Sequence, residues 1–222
     1  MERYITRLAA AYARGALSQN NKNSLVQDEP QSWIREGEKS GLKMYHFKTK
    51  EPLPRVKTVI SMLKGLQPES LLDIGSGRGA FLFPFLEEFP WVPVTSLDLL
   101  PHRVEMLQCL SKGGIQTLEA MQQDICVWDK PAHSFDIVTM LEVLEHIPDV
   151  QAAISAAVRL AKRYVIVSVP SKPDDNPEHI HLLTKDALTV LFHQANCTNL
   201  HFSGVNGHTI LLANVSTDET EE

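Results

Sequence analysis

A chain of 222 residues with 43% apolar and 22% charged side chains can bury one sizeable core, which predicts a single domain with a modest extension. A formal net charge of -6 argues against a protein held on nucleic acid by bulk electrostatics. Cys109, Cys126 and Cys197 form no CxxC pair, so neither a disulfide framework nor a zinc knuckle is implied, and no apolar run reaches the ~20 residues that cross a bilayer; the expectation is a soluble, cytoplasmic protein with reduced thiols and no membrane partner.

Residues 3 to 17 set Ile5, Leu8, Ala9, Tyr12 and Ala16 at helical spacing, with Arg3, Arg7 and Arg14 on the other side. This reads as a packed amphipathic cap, although an arginine-rich, acid-poor start is also the pattern of an organelle presequence. Ser18 to Ser24 is polar and turn-forming. Trp33, Met44, Tyr45 and Phe47 then appear among Lys43, Lys48 and Lys50, as rings that dock the N-terminal extension (residues 1–53) onto the main domain or close over a substrate as a lid.

From Pro54 the pattern is regular. Val56, Val59, Ile60, Leu63 and Leu66 predict a helix that ends near Gly65 to Pro68. Leu71-Leu72-Asp73-Ile74 reads as a buried strand and Gly75-Ser76-Gly77-Arg78-Gly79 as the turn after it, where glycines let a ligand approach the main chain. A buried helix over residues 80–86 follows, with Pro84 expected to distort its early turns. A strand over 92–98 ends in Asp98, Pro101 opens a helix, a weaker strand over 115–122 leads to Asp124-Ile125, and a strand over 135–140 leads to Glu142 through His146. Pro148-Asp149 starts a helix, 164–169 is a fifth strand, Thr184 caps another helix, and 199–205 with 208–215 forms a hairpin around Asn206-Gly207. Residues 216–222 form an acidic tail.

Alternating strands and helices predict an α/β fold, a mainly parallel sheet covered on both faces with ligands at the carboxyl ends of its strands. Gly75 to Ala80 also satisfies the G-x-G-x-x-A form of a dinucleotide fingerprint. Asp73 two residues before the first glycine, Gln123-Asp124-Ile125 after the third strand and the closing hairpin tip the balance. With the glycine motif they resemble the class I S-adenosylmethionine-dependent methyltransferases over residues 54–215.

That resemblance implies a three-layer, Rossmann-like fold whose seven-stranded sheet is mostly parallel with an antiparallel C-terminal strand. It also implies S-adenosyl-L-methionine as cofactor. Gly75, Gly77 and Gly79 would carry the methionine and ribose portions past the backbone. Asp73 would hold that loop and help receive the ammonium group, and Asp98, with Leu99 beside it, would accept the ribose hydroxyls. Asp124 and Ile125 would meet the adenine, and Met140 and Leu141 would lie along the methionine chain.

Methyl transfer from a sulfonium is an in-line displacement, so alignment supplies much of the rate. Glu142 and His146 are the candidate catalytic residues, His146 as a base oriented by a carboxylate. If the segment is helical, Glu142, Glu145 and His146 share one face. The small-RNA 3′-terminal 2′-O-methyltransferases carry a similar E-V-I-E-H segment and a later histidine that hold a metal. Glu142-Val143-Leu144-Glu145-His146 with His179 resembles that pattern, but Ile180-His181-Leu182-Leu183 departs from the residues that flank the family's last histidine. The expected acceptor is an oxygen or nitrogen of a small molecule, with RNA as the alternative and no metal in the preferred reading; a cofactor-binding, non-catalytic subunit is the other class.

Overall fold

The computed structural model describes residues 5–18, 29–173 and 175–215. The loop expected beyond Ser18, the acidic tail and Arg3 lie outside the described residues.

One seven-stranded sheet organises the chain, in the order β3-β2-β1-β4-β5-β7-β6. Its strands are β1 (Leu71–Ile74), β2 (Val94–Asp98), β3 (Leu118–Gln122), β4 (Phe135–Leu141), β5 (Ala161–Pro170), β6 (Asn199–Val205) and β7 (His208–Asn214). β1 pairs in parallel with β2 and β4, β2 with β3 and β4 with β5, whereas β7 runs antiparallel to both β5 and β6. All four residues of β1 are buried, as a central strand covered on both faces requires.

Helices α3 (Pro54–Leu66), α4 (Leu82–Glu88) and α5 (Pro101–Lys112) pack in one apolar cluster, and α6 (Val150–Leu160) and α7 (Lys185–Gln194) in a second on the other face. The result is the three-layer α/β fold that the resemblance implies. Asp149 and Thr184 cap α6 and α7 by accepting from the Ala152 and Ala187 amides.

Two local expectations are modified. Helix α4 starts at Leu82, so Pro84 falls in its first turn, where the missing N–H removes no intrahelical bond. Helix α1 (Thr6–Ser18) buries Ala10, Ala11, Ala13 and Gly15 as well as Leu8 and Ala9. Small side chains let it lie between α2 (Pro30–Lys39) and α5, so its buried surface is wider than the single stripe read from spacing. Trp33, Met44 and Phe47 are buried against the same cluster, while Tyr45 is exposed.

Candidate active site

The site is built outward from β1. Parallel register sets Asp73 between Ser96 of β2 and Thr139 of β4. Thr139 Oγ1 donates to Asp73 Oδ1 at 2.8 Å, Ser76 Oγ donates to Asp73 Oδ2, and Ser76 Oγ lies 2.6 Å from Ser96 Oγ. Burial pushes the Asp73 carboxyl up to about 6 against the opposing pull of the Ser76 and Thr139 hydroxyls. The loop that follows turns at Gly75 (φ 70) and Gly77 (φ 57), conformations that favour glycine.

Asp98 ties this loop to the end of β2. Its Oδ2 accepts from the Gly77 amide at 3.1 Å, its Oδ1 accepts from the Leu100 amide at 2.9 Å, and Arg103 Nη1 is 3.4 Å away. Asp124 accepts from the Cys126 amide at 2.9 Å and so starts the short turn Ile125–Val127.

A cavity of about 860 Å³ opens over the carboxyl ends of the strands. Asp73, Gly75, Gly77, Asp98, Leu99, Asp124, Ile125, Leu141, Glu142 and His146 all line it. Gly79 and Met140 do not. Gly79 faces the Phe83 ring, and the fully buried Met140 is packed in the core beside Ile74 of β1. Arg55 and Arg103 line the cavity without having been singled out in the sequence, where each is one more arginine on an amphipathic helix.

The segment after β4 differs from the helical turn expected there. Glu142 takes φ 57 and only Leu144–His146 turns, in a tight three-residue helix, so the spacing rule for a common face does not apply. Glu142 points to Ser168, whose Oγ donates to its Oε1 at 2.7 Å. Glu145 turns inward, is 1% exposed, and its carboxylate oxygens have no hydrogen-bond partner among the described residues. Burial pushes its carboxyl up to about 7, reinforced by the Glu142 charge. A ligand atom from each of Glu145, His146 and His179 falls within 4.8 Å of the others, a donor set suited to a divalent cation. His146 Nδ1 is 2.9 Å from the Glu178 carbonyl, which can only accept, so Nδ1 carries the proton and Nε2 is left to take one or to bind a metal.

A methyltransferase domain model matches residues 45–202 of the chain. The chain belongs to this methyltransferase family. The family's cofactor is S-adenosyl-L-methionine. Among curated proteins, the ubiquinone biosynthesis O-methyltransferase of Citrobacter koseri is 33% identical over 101 residues, 44% of this chain. That match spans 40% of the relative's length. An O-methyltransferase family protein from Burkholderia thailandensis shares the fold at a TM-score of 0.62 and 16% identity, over 75% of this methyltransferase chain and 56% of its own. A SAM-dependent methyltransferase from Archaeoglobus fulgidus does so at 0.56 and 14% identity, over 72% and 94%. No helix among the described residues of the methyltransferase is long and apolar enough to cross a membrane.

Proposed function

We propose that the methyltransferase transfers the sulfonium methyl group of S-adenosyl-L-methionine to an oxygen of a small molecule, with nitrogen as the alternative acceptor atom. The observation that carries the reading is the cavity itself: the glycine loop, Asp98 and Asp124 line one run of its wall, and Glu142 and His146 line the other end.

In this reading Asp98 accepts both ribose hydroxyls, Asp124 the adenine amino group, and Asp73 the ammonium group through the loop it braces. The cofactor supplies an activated methyl group. The chain's own work is to align an acceptor oxygen with it, to exclude water and to remove the hydroxyl proton. His146 Nε2 takes that proton, and Glu142 sets the local negative charge. The name of the Citrobacter koseri relative, an O-methyltransferase of ubiquinone biosynthesis, favours an oxygen acceptor. The test is incorporation of labelled methyl groups across a panel of catechols and phenols, with an amine panel in parallel. Labelling of a catechol that falls at least about tenfold in His146→Ala supports the reading. Labelling of amines alone assigns nitrogen, and no transfer to either panel overturns the small-molecule reading.

A second reading, metal-assisted transfer to a ribose hydroxyl at an RNA 3′ end, is favoured by the Glu145, His146 and His179 cluster around an unpartnered buried carboxylate. A cation held there would acidify the acceptor hydroxyl. Titration with Mn²⁺ followed by electron paramagnetic resonance checks it. Stoichiometric binding that is lost in Glu145→Ala and in His179→Ala supports a metal, and binding that survives both removes it.

A further inference from the structure

Three side chains from distant parts of the chain meet at the Glu142 end of the cavity. Arg55 stands in the first turn of α3, Glu142 follows β4, and His208 opens β7 beside Pro170 of β5. Arg55 Nη1 is 3.4 Å from His208 Nε2, and His208 Nδ1 is 3.0 Å from Glu142 Oε2. A guanidinium can only donate, so Nε2 receives and Nδ1 carries the ring proton, facing the carboxylate. That contact is short but out of line for a full hydrogen bond. Arg55 Nε and Glu142 Oε1 are 3.7 Å apart, beyond hydrogen-bond reach. The imidazole therefore stands between the guanidinium and its counter-ion, and it engages Arg55 through Nη1.

Arg55 and Glu142 line the cavity; His208 does not. Asp98 ends β2 and Asp124 follows β3, so a cofactor with its nucleoside over those strands carries its amino acid end across Gly75 toward β4 and Arg55. That end bears a carboxylate, the group a planar guanidinium receives with two parallel bonds. Resting on the cofactor reading above, we propose that His208 is a positioning residue, holding Arg55 against Glu142 so that the guanidinium receives the carboxylate of the cofactor's amino acid end.

The test is calorimetry on the full chain with two probes, S-adenosyl-L-homocysteine and its decarboxylated analogue. His208→Ala is expected to weaken the first by at least about fivefold and leave the second within about twofold, the size of one charge-assisted contact. His208→Gln, which keeps an acceptor near Nε2, is expected to stay within about twofold for both. Arg55→Ala is expected to show the same carboxylate-selective loss, and the double variant little more than Arg55→Ala alone. Equal losses for both probes, or an unchanged affinity for S-adenosyl-L-homocysteine in either single variant, would overturn the role of His208 while the cofactor reading stands. Failure of the unaltered chain to bind S-adenosyl-L-homocysteine would overturn the cofactor reading itself and the His208 role with it.

Discussion

A methyl group added to Gly75 would lie 2.4 Å from Cγ2 of Val143, so the first glycine of the loop and the residue after Glu142 touch across the cavity wall. Gly75→Ala meets that clash and a φ of 70 together. The expected result is a loss of about 1–3 kcal/mol in stability and at least about tenfold in affinity for S-adenosyl-L-homocysteine. Adding Val143→Ala relieves the clash but not the backbone strain, so it should recover only part of the stability. Denaturant titration and calorimetry check both.

Asp98 holds two loop amides, of Gly77 and Leu100, so its carboxylate shapes the loop; in the proposed reading it also accepts the ribose hydroxyls. Asp98→Ala is expected to weaken S-adenosyl-L-homocysteine on the order of a hundredfold, and Asp98→Asn, which keeps one acceptor oxygen, by less. Calorimetric titration of the three forms decides this; an unchanged affinity in Asp98→Ala would refute the ribose role.

Asp73 ties binding and stability to pH. Its folded value of about 6 lies above the ordinary 3.8, so between those pH values the folded chain keeps a proton that the unfolded chain releases. Its contribution favours folding below about pH 4 and is lost as pH rises through about 6. The melting temperature of Asp73→Asn should therefore fall less over that window than that of the unaltered chain. Because a ligand ammonium favours the ionised carboxylate, S-adenosyl-L-homocysteine binding near pH 6 should release a proton. Calorimetry in buffers of different ionisation enthalpy measures it.

Asp136, 3% exposed at the opposite end of the sheet, serves as a contrast. It accepts from the Glu69 amide at 2.8 Å and from Arg163 Nε and Nη2 at 2.5 and 2.6 Å. Arg163 Nη2 also donates to the Leu66 and Gln67 carbonyls at the end of α3. Asp136→Ala should cost about 2–4 kcal/mol in denaturant titration and leave cofactor affinity within about twofold, because its partners Glu69 and Arg163 lie outside the cavity lining.

Helix α1 rests closely on α5. A Cβ on Gly15 would lie 1.9 Å from the Cys109 carbonyl oxygen of α5, a backbone atom that cannot step aside. Gly15→Leu should push α1 off α5, seen as faster limited proteolysis near the N-terminus. Gly65→Ala, at a position with open space around it, should leave proteolysis unchanged.

Much of the cavity wall along β1, β2 and β3 was legible in the chain because its residues are set by local pattern. Asp73, Gly75 and Gly77 lie within five residues of one another, Asp98 ends a strand whose apolar pattern is visible alone, and Asp124 follows a weaker one by two residues. Gly79 closes the same glycine turn and Met140 lies in β4, yet turn geometry and strand pleat direct them to the Phe83 ring and into the core. The segment after β4 was less legible. The spacing of Glu142, Glu145 and His146 assumes a helix, but a left-handed Glu142 before a three-residue turn sends the two carboxylates to different partners, Ser168 for one and the His179 side for the other.

The sequence by itself determined the alternation of strands and helices, the glycine turn and the acids that end the strands, because each depends on residues within a few positions of one another. Only the tertiary structure decided that Arg55 and His208, 153 positions apart, meet beside Glu142, and that of Glu142 and Glu145, both grouped with His179 by the resemblance, Glu145 alone lies against it. Those contacts arise from the pairing of β7 with β5 and from the turn after β4, and side-chain periodicity along a single element carries no information about either.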